Sequence, residues 1–447
     1  MSVNRQADTA ASPWRAPLLF AVLILLIVLE GTTSNAMFSG SWNSALSILN
    51  MGLISAVTAL GVNMIWGYGG LFNAGVVGFV ALGGLAPVLV STMPVQGAWA
   101  AGGPQLVLAL AVGLATLVLA WAVAARLKGV SRLWIAALVV IVGYVATRIL
   151  FDPAVVAIEA NNPSKAGNIG GLGLPVLLSW PVGMVFAAIA AWGIGKVALG
   201  LRSDYLAIAT LGIGEIIVAI LRNEGWLGRG VLNITGIPRP VPYELDLQAN
   251  PAFVEAAARW AMDPTTASAI YVKLCYAVIF VAVLLTLILL SELALYSPWG
   301  RMMRAIRDNE VAAEAMGKDV TRRHLHLFIL GCAVIGLSGA MMVTLDGLMA
   351  PGGYNPLRYT FLVWVMVIVG GSGNNWGAVL GAVLIWFLWI KAEVWGPAAM
   401  SLLTLPLSDG GLKRHLIESA PQMRYVAMGL VLLLVLRFAP RGLLPER

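Results

Sequence analysis

The chain has 447 residues, 60% hydrophobic and only 11% charged, against about half apolar and a quarter charged in soluble domains. That balance excludes a soluble globular protein. It leaves an all-α, polytopic transmembrane helix bundle, because lipid forces each spanning segment to pair its own backbone groups. The formal charge of +7 would suggest nucleic acid in a soluble chain. Here the basic residues fall between apolar runs, where they set orientation and meet anionic membrane lipid, so no nucleic-acid partner is expected.

Residues 1–15 read as a cytoplasmic N-terminal segment, followed by a membrane domain over 16–439 and a cytoplasmic tail over 440–447. The first apolar run, 16–38, has no convincing cleavage site after Glu30 and reads as a retained helix. Further runs fall at 43–65, 71–93, 105–125, 133–151, 176–199, 204–221, 271–295, 325–349, 359–371, 376–394 and 424–439. At roughly 20 residues per span, these amount to about 10–12 membrane segments. Arg126, Lys128 and Arg132 place their loop in the cytoplasm, whereas 152–175, with Lys165 beside Asp152 and Glu159, belongs outside. Counting crossings puts the proline-bearing loop 222–270 outside and 297–324 inside.

Glu215, in LGIGEIIVAIL, is the most exposed to cost. It lies about 16 Å into its helix, where a bare charge is penalised by at least about 2.5 kcal/mol. Gly212 and Gly214 flank it and admit a close neighbour, so Glu215 is expected at an interior helix contact bordering a solute path, away from lipid. Steps such as Ala74 to Gly78, Gly336 to Ala340 and Gly377 to Gly381 favour close helix contacts.

The segment 299–321 is a charged, helix-prone island between two apolar runs, and Arg301, Arg304, Arg307, Lys318, Arg322 and Arg323 place it in the cytoplasm. A solvent-facing helix in such a position implies a protein partner. Beyond it, 359–394 must leave and regain the outer side as a tight hairpin, broken or re-entrant at GGSGNNWG (370–377). Irregular backbone at membrane depth survives only when buried in protein or lining a cavity. Gly370, Gly371, Gly373 and Gly377 are therefore candidates for helix contacts or a pathway, with an ordinary tight turn as the alternative.

No GxxxxGK[ST] motif occurs, so nucleotide phosphates have no cradle in this chain. No HExxH or GxSxG motif appears, and neither Cys275 and Cys332 nor His324, His326 and His415 have metal-ligand spacing. The residues suggest no catalytic role and no bound cofactor.

Several stretches resemble one family, in its order. LGVNMIWGYGGLFNAGVVGFVALGG (60–84), LRSDYLAIATLGIGEIIVAILRN (201–223), GVLNITGIPRP (230–240), SPWGRMMRAIRDNEVAAEAMGKDVT (297–321) and VGGSGNNWGAVLGAVL (369–384) are similar to motifs of branched-chain amino acid ABC importer permeases of the LivM type. The resemblance implies a permease subunit working with a second, LivH-type permease, two cytoplasmic ABC ATPases that consume ATP and Mg, and a periplasmic binding protein, in a bacterial inner membrane. It implies that Arg304, Arg307, Glu310, Ala312, Ala313 and Gly317 form the ATPase-coupling loop, with Ala312, Ala313 and Gly317 at the docking turn. Val311 replaces the acid that usually opens that pattern, and Glu310 stands one place earlier. The cargo implied is a branched-chain or other neutral amino acid, with urea or a short amide as the alternative and an ion-coupled carrier as the rival class. The regions 102–175 and 396–423 are longer than the family's usual stretches.

Overall fold

The computed structural model describes residues 14–35, 37–127, 131–162, 167–405 and 410–446. Most of the expected N-terminal segment, with Lys128, Lys165 and Arg447, lies outside the described residues. The chain runs through α1 (Arg15–Thr32), α2 (Trp42–Val62) with a π turn at Asn63–Gly67, α3 (Val76–Ser91), α4 (Gln96–Arg126), α5 (Ser131–Ala160), α6 (Val176–Ala198) and α7 (Ser203–Asn223). A capping segment follows with α8 (Gly225–Gly228), β1 (Ile234–Thr235), α9 (Glu244–Ala249) and α10 (Pro251–Arg259). Then come α11 (Pro264–Tyr296), α12 (Pro298–Asp308), α13 (Glu310–Ala315), α14 (Val320–Asp346) and β2 (Leu348–Met349). A second π turn (Leu357–Phe361) leads into α15 (Leu362–Gly370), α16 (Asn375–Leu403), α17 (Gly411–Glu418) and α18 (Met423–Phe438).

Among the described residues, ten helices are long and apolar enough to cross a bilayer. α3 and the arm ending in α15 are shorter apolar helices and would not bridge the roughly 30 Å hydrocarbon core unaided. Both are almost wholly buried among other helices, which is where short or irregular segments are tolerated. α2, α14 and the first half of α16 complete this inner layer, around Leu60, Phe79, Phe328 and Phe387. α1, α4, α5, α7 and α18 expose long apolar faces outward, as lipid-facing helices must.

The chain alternates between two ends of the bundle. α12 and α13 define one end, which also holds the close of α2, the turn between α15 and α16, and residues 441–446. The other end holds the capping segment. There β1 pairs antiparallel with β2, Ile234 opposite Met349, and Arg222 donates to the carbonyl of Tyr354 at 2.9 Å. These two-residue strands form the one sheet among the described residues, beside isolated bridges at Ser34–Ser39 and Pro94–Gly170.

Some boundaries differ from the expected runs. α3 begins at Val76 rather than 71, because Gly70 adopts φ +68° and Asn73 Oδ1 takes the Gly75 amide at 2.9 Å. α4 and α5 are longer than expected, 31 and 30 residues. They pair with each other and join the bundle near the end opposite α12. There Ala98, Leu106, Ala154, Ile158 and Trp226 cluster, and Glu159 accepts the Trp226 amide at 3.0 Å.

Candidate coupling site

Three side-chain caps shape the segment between α11 and α14. Ser297 Oγ accepts from Gly300 N at 3.4 Å, Asn309 Oδ1 from Ala312 N at 3.0 Å, and Asp319 Oδ1 from Arg322 N at 3.0 Å. Each satisfies an amide left free at a helix start. Gly317, at φ +75°, reverses the chain after α13, a conformation costly for any residue with a Cβ. Met303, Ile306, Ala313, Val320 and Leu327 then close into a small apolar core.

This core corrects the expected role of Ala313. It is 9% exposed and packs against Met303 and Ile306 of its own chain rather than facing outward. Glu310, Ala312 and Gly317 are exposed. The large apolar side chains that face outward are Val311 at 76% and Met316 at 80% exposure. Helical periodicity alone could not say which face of so short a helix meets its own bundle.

Arg304 and Arg307 also turn inward. Arg304 Nη2 donates to the carbonyl of Leu295 at 3.3 Å. Arg307 Nη1 reaches the carbonyl of Gly67, at the end of the α2 π turn, and pairs with Glu446 Oε2 at 2.9 Å. Burial works against the Arg307 charge, but the hydrogen bond and charge of Glu446, with Asp308, outweigh it and raise its pKa.

The glycine turn lies at this same end. Gly371 and Gly373 have φ of +116° and +79°, open to glycine with little strain. Gly370 and Gly377 meet face to face: a Cβ on Gly377 would lie 2.8 Å from the Gly370 carbonyl. Residues 441–446 cover the turn. Leu443 N donates to Val369 O at 2.8 Å and Leu444 N to Gly370 O at 2.9 Å, taking up carbonyls that α15 leaves free at its end. The turn is thus a contact between helices and tail.

Beneath the turn is a polar node that sequence reasoning missed. Asn375 Oδ1 accepts from Tyr68 Oη at 2.8 Å and from Asn63 Nδ2 at 3.3 Å, while its Nδ2 donates to Glu292 Oε1 at 2.9 Å. Asn63 Oδ1 in turn accepts the Gly373 amide at 2.8 Å. Buried amides demand such partners, and here they join α2, α11 and α16 to the turn under α12. Two asparagines in apolar surroundings, Asn63 and Asn375, were the available signal.

Glu215 stands apart from this assembly and corrects its expected place. Its side chain is exposed, and a Cβ on Gly212 would meet nothing within 4 Å. Only Gly214 sits at a helix contact, with its Cα 2.8 Å from where a Cβ on Gly78 would be. Three residues apart, Gly212 and Glu215 share one helix face, and it is the face turned away from the bundle. Among the described residues, no group of three or more His, Cys, Asp or Glu side chains could hold a metal ion.

Comparison with known proteins agrees with this architecture. The profile of the family described as branched-chain amino acid transport system / permease component matches residues 154–436, more than half of the chain. The high-affinity branched-chain amino acid transport system permease protein LivM of Salmonella typhimurium is 26% identical over 315 residues, covering 68% of this chain and 65% of that protein. Its Escherichia coli K12 counterpart is 26% identical over 311 residues with the same coverage. The probable branched-chain amino acid transport permease protein LivM of Methanocaldococcus jannaschii is 27% identical over 289 residues, 64% of this chain and 72% of that protein. The chain therefore spans slightly less than two thirds of the two bacterial relatives. No solved structure matches it. With α14, α15, α16, the glycine turn and the α12–α13 segment all within the matched residues, this multi-pass helical bundle belongs to the branched-chain amino acid transport system permease family.

Proposed function

We propose that this chain is a permease subunit of an ATP-driven importer in a bacterial inner membrane, carrying branched-chain or other neutral amino acids. The observation that carries the reading is the α12–α13 segment. It is held firmly by Arg307 and its own apolar core, yet presents Val311, Ala312 and Met316 outward on an otherwise polar surface. A rigid knob with an apolar edge suits docking into a partner, and exposed apolar groups of this size mark such contacts. The partners are two cytoplasmic ABC ATPases, which hydrolyse Mg-ATP, with a second LivH-type permease and a periplasmic binding protein. Arg126, Arg132, Arg301, Arg322 and Arg323 gather at the α12 end, which supports placing that end in the cytoplasm.

The test is reconstitution of the chain with these partners in liposomes. ATP-dependent uptake of leucine, absent when either the ATPases or this chain is omitted, is the expected result. Uptake by this chain alone, driven by an ion gradient, would show it to be a secondary carrier instead.

A further inference from the structure

Inside the bundle, α2, α14, α16 and the π turn before α15 enclose a cavity with an unusual wall. Arg358 lines it, and its guanidinium carbon lies 5.1 Å from the Tyr359 ring centre and 5.2 Å from that of Trp386. Its Nε is buried without a hydrogen-bond partner, and no carboxylate stands at ion-pair distance among the described residues. The two aromatic rings favour the cation but offer no acceptor to its buried Nε–H. Arginine in a membrane interior is expensive and ordinarily pairs with an acid. The acid whose charge reaches Arg358 is Asp346, and it stands beyond ion-pair distance, so the buried Nε–H has no acceptor among the described residues.

The rest of the wall divides by chemistry. Ser55, Thr58 and Ser338 bring hydroxyls, with Thr58 Oγ1 donating to Ser338 Oγ at 2.7 Å. Met342, Val363 and Met366 are apolar. We propose that this cavity is a binding site for a small solute bearing a carboxylate and an apolar body, with Arg358 holding the carboxylate. A guanidinium offers a planar fork that matches a carboxylate with two parallel bonds. The hydroxyls can accept from an ammonium group, and the methionines yield to branched side chains. Urea and simple amides offer one neutral carbonyl oxygen in place of a carboxylate's two charged ones, so the site favours the amino-acid cargo over them.

The gap is narrow, with room for about one water molecule, so the wall must part to admit a solute. α15 is the wall element built to shift: it has nine residues, with a π turn before it and Gly371 at φ +116° after it.

For transport, this inference rests on the importer reading; binding itself does not. The complete membrane complex without the soluble binding protein is titrated with L-leucine, 4-methylpentanoate, leucinamide and urea. Leucine and 4-methylpentanoate are expected to bind competitively, and leucinamide and urea not to compete. Arg358→Gln weakens leucine binding by about tenfold or more, and Arg358→Lys by less. Ser55→Leu, which fills the cavity and leaves the charge, abolishes binding, and it decides the matter if Arg358→Gln does not assemble. Wild-type affinity in an assembled Arg358→Gln complex, or in Ser55→Leu, would overturn the site. So would equal binding of leucine and leucinamide. Arg358-dependent binding without ATP-driven uptake would sink the importer reading and leave the site standing. Normal uptake by Arg358→Gln would do the reverse.

Discussion

Arg307 of α12 and Glu446, beyond the last membrane helix, form an ion pair of 2.9 Å across the glycine turn. The pair joins the proposed docking segment to the tail that closes α15, so displacement of one is felt by the other. Separating them by Glu446→Arg is expected to lower ATP-driven uptake several-fold while leaving membrane insertion intact. Charge exchange, Arg307→Glu with Glu446→Arg, should recover part of the loss. Each residue is about a quarter to a third exposed, so the coupling from a double-mutant cycle should be about 1 kcal/mol. A coupling of zero would show the tail and α12 to be independent.

The proposed docking rests on the outward edge of α13, Val311 and Met316. Val311→Asp or Met316→Asp should reduce copurification of the ATPases by about tenfold, as expected for a lost apolar anchor, without altering the thermal stability of this chain. Ala313→Trp should instead disturb the chain itself, since Ala313 fills the core with Met303 and Ile306. Unchanged copurification in both aspartate variants would remove this edge from the interface.

The ion pair between Lys391 and Glu30 is almost fully buried, and Ser39 Oγ donates to Glu30 at 2.7 Å. Breaking it from one side leaves an uncompensated charge, at a cost of about 3–5 kcal/mol. Lys391→Met should therefore lower the thermal midpoint of the detergent-solubilised protein strongly. Adding Glu30→Leu should restore it, because two apolar residues replace a buried pair at little net cost. A double variant no better than the single one would contradict this account.

Glu215 is exposed and makes no hydrogen bond or ion pair among the described residues, so Glu215→Leu should leave the thermal midpoint of the isolated chain unchanged. In the proposed assembly, its position on an outward face of α7 would set it toward the second permease or the path between them. Transport or pairing with that subunit should fall several-fold in Glu215→Leu and be largely kept in Glu215→Gln. Equal transport by both would leave the carboxyl without a role.

Sidedness is checked by labelling. In a background lacking Cys275 and Cys332, cysteines at Gln248 and Gly410 should react with an impermeant thiol reagent added to intact cells, and one at Asn309 should not. Labelling at Asn309 from outside would invert the assignment.

The apolar runs carried nearly all of the helix order, because spanning segments announce themselves by length and composition. The small-residue steps also marked true contacts, with Gly381 of α16 against Gly370 of α15. What the sequence concealed was direction. Arg304 and Arg307 look like solvent-facing charges in a basic island, yet they bond carbonyls of their own bundle. Arg358 stands at the start of an apolar run, where an arginine reads as a headgroup anchor, and only the fold sets it between Tyr359 and Trp386. Contacts such as Leu444 with Gly370 join segments far apart in the chain, and local pattern is silent on those.

The clasp formed by residues 441–446 has a consequence in time. Every other component of the α12 end leaves the ribosome earlier, and Leu443, Leu444 and Glu446 emerge only after α18. Until they arrive, the final carbonyls of α15 lack their partners and Arg307 has Asp308 but not Glu446. A nascent or truncated chain therefore has an unfinished α12 end, and under the proposed assembly that end is complete for a partner only once the last membrane helix has been made.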